Sequence, residues 1–266
     1  KLKNKMNKIV IFLFFGINIY AQNISGIATY QYIVSSENIK KSISEIPNLD
    51  ENSKKMFEDK MRKNLEKTFS LTFDKYNSVY KEEQKLDLNN KEGNGSWSPY
   101  GMDNAYYKNY KEKLFITEKD LMGKLFFVKD EFKSLNWVIS SEIKKIGNYN
   151  CQKATTKIVE NVVVVDDNKS TNFFEDKSNN GEKIITAWYS TDISISNGPS
   201  LYWGLPGLIL EIEENGDKLI CSKVVINPRQ KAKIKMPNKK NIISIVEYEE
   251  ILKKKNKELE NVDFTK

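Results

Sequence analysis

"LYWGLPGLILEIEENG", residues 201–216, sets two glycines, a proline and a tryptophan ahead of a strongly apolar run and closes on Asn215-Gly216. Asn-Gly tolerates φ > 0 at both central positions of a type I′ turn, the two-residue loop whose twist matches that of antiparallel strands. A hairpin is therefore expected, and the loop length fixes its register. Glu213 faces Lys218, Ile212 faces Leu219 and Leu210 faces Cys221. One face then collects Leu208, Leu210, Ile212, Leu219 and Cys221 and is expected to be buried, while Glu213 and Lys218 pair on the other. Upstream, Leu205-Pro206-Gly207-Leu208 fits a type II turn, with Pro206 fixing φ and Gly207 expected at φ > 0. The turn delivers a strand; whether it also lines a site stays open.

Working outward, the same strand chemistry recurs on both sides. Residues 24–34 alternate in part and are rich in β-branched and aromatic side chains, and residues 68–73 alternate strictly. Residues 77–82 and 105–111 carry tyrosines on period two. Further strands are expected at 113–117, 124–128, 137–144, 151–165 and 183–190. Polar, glycine- or asparagine-rich loops are expected at 89–101 and 166–181. Strands that succeed one another without intervening helices imply an antiparallel meander, since parallel pairs need long crossovers. Two helices break the series. Phe57, Met61 and Leu65 recur every four residues within 50–67, an amphipathic helix expected to pack on the sheet. Residues 246–260 read as a solvated C-terminal helix. Neither an internal repeat nor a Pro/Gly/Ser linker divides residues 22–266, so a single domain is expected.

The first 21 residues have a different character. Lysines precede the apolar run at 9–17, and Ala21 supplies a small residue where a signal peptidase cuts. That order predicts a secretory signal peptide over residues 1–21; the run is too short for a membrane anchor, so none is expected in the mature chain. Lys1, Lys3, Lys5 and Lys8 fall in the leader, so the +7 of the whole chain drops to +3 beyond it. A balance so near neutral, with export, excludes dedicated nucleic-acid binding. The expected location is periplasmic or extracellular. In that oxidising setting Cys151 and Cys221 are candidates for a disulfide. It would close a loop of about 70 residues and stabilise by roughly 4 kcal/mol in the chain-entropy picture. Two free thiols are the alternative.

The chain contains no histidine. That removes Ser–His–Asp and Cys–His catalysis and His-containing zinc sites together. Neither G-x-S-x-G, a P-loop nor GxGxxG is present. Carboxylate pairs remain, because two acids alone hydrolyse glycosides, and Asp192 and Glu211 stand nearest the opening stretch. The acidic loop from Asp166 to Asp176 fails the EF-hand pattern, with Thr171 at the glycine position and Lys177 at the closing glutamate. No metal and no cofactor is implied. Trp188, Tyr189, Tyr202 and Trp203 cluster around the opening stretch, with Trp97 and Tyr100 in an earlier loop. Core filling and the lining of an apolar or carbohydrate pocket both explain them. Arg229, Lys231, Lys233 and Lys235 alternate as on one face of a strand, protecting a sheet edge or meeting anionic lipid.

At Gly204-Leu205-Pro206-Gly207-Leu208-Ile209 the chain is similar to the GLPGLI family, named for this hexapeptide. The similarity extends to residues 146–154, to Ala187-Trp188-Tyr189 and to Asn197-Gly198-Pro199. Good agreement spans about 137–226. Tyr202-Trp203 precedes the hexapeptide where members often carry a lysine and another aromatic or glycine. The resemblance implies an exported protein of Bacteroidota type with no established biochemical activity, so no catalytic residue carries over.

The combined expectation is an α+β, mainly β domain: a single curved antiparallel sheet, half-barrel-like, with one packing helix and a C-terminal helix. This order is similar to the half-barrels of periplasmic lipoprotein carriers. The leading functional expectation is a non-enzymatic binding or carrier module for an apolar or lipid-like ligand, partnered by lipid or another envelope protein. The alternatives are an accessory or assembly subunit of an outer-membrane complex and a carboxylate-dependent hydrolase. The motif residues Trp188, Tyr189, Asn197, Gly198, Pro199, Trp203, Gly204, Leu205, Pro206 and Gly207 are the candidate site.

Overall fold

The computed structural model describes residues 24–83, 103–133, 135–159, 182–230 and 233–260. The expected leader, Trp97, Tyr100, the acidic loop at 166–177 and Lys231 lie outside these residues. Strand β1 (Gly26–Ile33) is followed by helices α1 (Ser36–Ser44) and α2 (Glu51–Leu65). A first run of strands comprises β2 (Lys67–Phe73), β3 (Asn77–Glu82), β4 (Asp103–Asn109), β5 (Leu114–Leu121) and β6 (Lys124–Asp130). A second run comprises β7 (Val138–Ile146), β8 (Tyr149–Val159), β9 (Glu182–Ser190), β10 (Leu208–Glu214) and β11 (Asp217–Ile226). Strand β12 (Ile242–Ser244) and helix α3 (Ile245–Glu260) follow.

The twelve strands among the described residues form one open sheet in the order β12-β6-β5-β4-β3-β2-β1-β11-β10-β9-β8-β7. Every pairing is antiparallel except that of β12, which runs parallel to β6. The sheet is thus two meanders joined through β1 and β11. This order forces curvature. Ten strand spacings separate β6 from β7, about 48 Å in a flat sheet at ~4.8 Å each. Residues 131–137 must join them, and so short a segment reaches less than about 30 Å fully extended. The sheet has to curl until its two ends approach, giving the half-barrel.

Inside the curl, alternate side chains of each strand make the core. Ala28, Tyr30 and Tyr32 of β1, Phe69, Leu71 and Phe73 of β2, and Ile212 and Leu219 of the β10–β11 hairpin are all buried. The chain itself fills the concavity. Ile39 and Ile43 of α1 enter the core, as do Ile193, Ile195, Tyr202 and Leu205 from the long connection between β9 and β10. The hairpin forms as its sequence demands. Asn215 and Gly216 have φ of 50° and 86°, and Glu213 faces Lys218 at an ion-pair distance of 3.2 Å. Asp217, just past the turn, accepts from Tyr32 Oη (2.6 Å), Ser35 N (2.8 Å) and Asn38 Nδ2 (2.8 Å), fastening the turn to the start of α1.

Several expectations are corrected. Helix α1 carries only two buried isoleucines in nine residues, too short a periodic signal to read, yet it buries more deeply than α2. On α2, Leu65 is buried and Met61 packs on the core, but Phe57 is exposed, so the helix packs by its C-terminal half. Both faces of β10 are covered: Ile209 and Glu211 are buried alongside Leu208, Leu210 and Ile212, and a bulge between Ile209 and Glu211 breaks strict alternation. Cys221 is only partly buried. The disulfide is absent: Cys151 on β8 and Cys221 on β11 are free thiols with β9 and β10 between them in the sheet. That spacing exceeds the ~7 Å Cα separation a disulfide tolerates when measured along the sheet. Among the described residues of 229–236 there is no strand; Pro228 and Pro237 flank the run, and proline cannot complete a ladder.

A candidate binding site at the mouth of the half-barrel

The register places Gly26, Phe73, Ser78, Lys108, Phe115 and Asp130 opposite one another in a single row across β1 to β6. Because β6 ends at Asp130, this row marks the end of the half-barrel where residues 131–137 cross to β7. Lys108 therefore sits on the apolar parity of β4, two residues beyond Tyr106, and its side chain is fully buried. Its ammonium donates to Gly198 O (3.0 Å) and Asn197 Oδ1 (3.4 Å). Both acceptors are neutral. Burial without a counter-charge pushes the Lys108 ammonium down to about 7, because desolvation penalises the charged form.

Other polar atoms beside it are buried without partners. Ser78, directly opposite Lys108 on β3, has its hydroxyl unbonded. The Tyr110 hydroxyl neighbours Ser78 Oγ but makes no bond of ordinary geometry, and burial raises it well above the usual phenol range. Asn197 uses Oδ1 for Lys108 and Gly198 N, which leaves Nδ2 with no acceptor. Buried polar groups are nearly always satisfied, so three orphans around one buried amine need an explanation.

Over this polar base lies a ring cluster. Trp203 packs on Phe132 at a tilt of 38° (centroids 4.2 Å apart) and meets Tyr110 edge-on (5.8 Å), and Tyr110 meets Phe132 edge-on (5.5 Å). Trp137 donates its indole N–H to Trp203 O (2.8 Å). All four side chains keep some exposure. Two crossing segments, 131–137 and 191–207, thus meet at this mouth.

The motif holds the second segment in place by close approach. Residues 193–197 run alongside the start of β10, with Leu208 N donating to Ile193 O and Ile209 N to Asn197 O. A Cβ on Gly198 would lie 2.7 Å from Tyr202 O, and one on Gly207 only 2.1 Å from Ser190 O. Gly207 therefore serves contact and not φ, which corrects the type II turn expectation; the positive φ, +100°, belongs to Gly204. Pro199 and Leu205 are buried, while Pro206 is exposed.

The candidate residues thus separate. Asn197 and Gly198 accept from Lys108, and Trp203 packs on Tyr110 nearby. Tyr189 is buried elsewhere and donates to Gln152 Oε1 (2.9 Å). Trp188 lies on the opposite face of β9 beneath the Lys144 ammonium, 4.3 Å from its ring. Glu211, one of the two carboxylates considered for hydrolysis, is buried and paired with Lys144 at 2.7 Å. Asp192 is exposed. Sequence reading missed Lys108, Ser78 and Tyr110. The available signal was a lysine on the tyrosine-bearing parity of a strand.

The family described as "Protein of unknown function (Porph_ging)" matches residues 137–211, a segment that starts at Trp137 and takes in the hexapeptide. No curated protein matches the chain. Two solved structures of PNGF-II, in space groups C2 and P21, resemble it with TM-scores of 0.50 and 0.47 at 16% identity, covering 87% and 86% of this chain. The chain spans 33% of the length of each, about a third. LprF from Mycobacterium bovis aligns over 81% of this chain and 89% of its own, at 10% identity and a TM-score of 0.25. At such identities the likeness to the first structure is one of fold.

Proposed function

We propose that this protein is an exported, non-enzymatic binding module for an apolar or lipid-like ligand, seated at the mouth where Trp203, Phe132 and Trp137 meet Tyr110. The observation that carries the reading is the partly exposed ring cluster built by two crossing segments over an otherwise filled half-barrel. Aromatic groups that keep exposure while packed on one another form the apolar wall expected of a ligand site. Because α1 and residues 191–207 occupy the concavity, the ligand binds at the end of the barrel and not along its length. Export rests on the leader-like residues 1–21. No helix among the described residues is long and apolar enough to cross a membrane.

Mass spectrometry of small molecules extracted from natively purified protein, beside tryptophan-fluorescence titration with decanol, tests this. An apolar molecule co-purifying with wild type but not with Trp203→Ala is expected. Absence of any such molecule, with no change in fluorescence, rejects it.

A second reading has its own observation. Strand β7 is a sheet edge, and Val138, Ile139 and Ile143 on it are exposed. An apolar edge is a template for a partner's strand, which favours an assembly subunit. Cross-linking at Ile143→Cys to a co-purified polypeptide in place of a small molecule is the outcome that selects it.

A further inference from the structure

The buried base of the mouth has a composition that specifies one kind of chemical group. Lys108 Nζ bonds only neutral oxygens, so its charge, when present, has no carboxylate in contact among the described residues. Around it Ser78 Oγ, Tyr110 Oη and Asn197 Nδ2 are buried with donor capacity unused. Asn197 cannot rotate its amide to help. Its Oδ1 accepts from both Lys108 Nζ and Gly198 N, and exchange would set Nδ2 against two donors. The neighbourhood therefore offers an ammonium, two hydroxyls and an amide N–H, and lacks an acceptor of negative charge. Buried donors left unpaired carry a desolvation penalty that a complementary ligand atom relieves.

We propose that this cluster receives the carboxylate of an apolar carboxylic acid whose hydrocarbon body lies against Trp203 and Phe132. The inference rests on the binding reading above and adds the head group to it. A carboxylate fits better than a phosphate. One lysine balances one negative charge, whereas a phosphate monoester carries about −1.5 to −2 and is usually met by arginine forks. The two arginines of the sequence, Arg62 on α2 and Arg229 after β11, make no contact with the cluster.

Calorimetric titration of the natively purified protein at pH 6.5 with decanoate, decanol and decyl phosphate tests the proposal. Decanoate is expected to bind at least tenfold more tightly than decanol. Lys108→Met should abolish that preference while leaving decanol binding in place. Ser78→Ala and Tyr110→Phe, which remove hydroxyls that neighbour each other and bond no further group among the described residues, should each reduce the preference several-fold and so guard against a folding defect in the lysine variant. Equal binding of decanoate and decanol overturns the head-group assignment and leaves the apolar site standing. Tighter binding of decyl phosphate overturns the carboxylate in favour of a phosphate. Binding of none of the three overturns the apolar site itself, and the head group with it.

Discussion

A lysine with no exposed surface and, among the described residues, no carboxylate partner makes stability depend on pH in a distinctive way. Lys108 titrates near 7 in the folded chain and near 10.4 when unfolded. Below about pH 7 both states hold the proton; between the two values only the unfolded state does. Stability therefore rises with pH through that window, by up to about 1.4 kcal/mol per pH unit. The opposite trend begins where the cysteines titrate. Burial raises Cys151 to about 11 and Cys221 to about 12, so above roughly pH 8.5 the unfolded chain loses those protons first and stability falls. Urea denaturation of wild type should show a rise from pH 7 to 8.5, and Lys108→Met should flatten it; an unchanged slope in the variant would assign the effect to another group. Two glycines of the motif give a second contrast. Gly207→Ala forces a Cβ into Ser190 O and should cost about 1–3 kcal/mol, an overpacking penalty. Gly204→Ala has room for its methyl group, at least 3.8 Å from Trp137, and should cost about 1 kcal/mol through its φ of +100° alone. Chemical denaturation of the pair separates contact from conformation.

At the scale of elements, the β10–β11 hairpin and α1 act as one unit because Asp217 serves both. Its carboxylate takes three donors, from β1, from the approach to α1 and from α1 itself. Asp217→Ala leaves the Tyr32 hydroxyl, the Ser35 amide and the Asn38 amide without that acceptor. A loss of about 2–3 kcal/mol is expected, hydrogen bonds to a charged group being the stronger kind. Amide exchange should quicken in α1 before it quickens in β2 or β3; uniform acceleration would mean that α1 is not a separable element. This hairpin was legible in the sequence because a two-residue turn fixes its register locally. Helix α1 was not legible, since its two buried isoleucines fall in one nine-residue stretch and acquire meaning only against the sheet.

For the molecule as a whole, the order of strands makes the mouth at which the candidate site lies. Residues 131–137 have to bridge the two ends of a curled sheet, and that crossing brings Phe132 against Tyr110 and Trp203, and Trp137 to the Trp203 carbonyl. The same strand order sets β9 and β10 between Cys151 and Cys221, which are free thiols. Intact mass should be unchanged by reductant, and iodoacetamide should label Cys151 only after urea is added; a 2 Da gain on reduction would restore the disulfide. What the sequence determined by itself was local: strand positions from alternation, the Asn215-Gly216 turn from backbone sterics, helix α2 from its four-residue spacing, and a mainly β domain from strands that follow one another. Such features depend on residues close along the chain. The tertiary structure alone decided which strands become neighbours, that β12 joins in parallel, that the connection at 191–207 fills the concavity, and that Lys108, Ser78, Tyr110 and Asn197 meet. Those residues lie up to 119 positions apart, and only closure of the sheet, driven by burial of apolar surface and limited by the reach of its connections, brings them together.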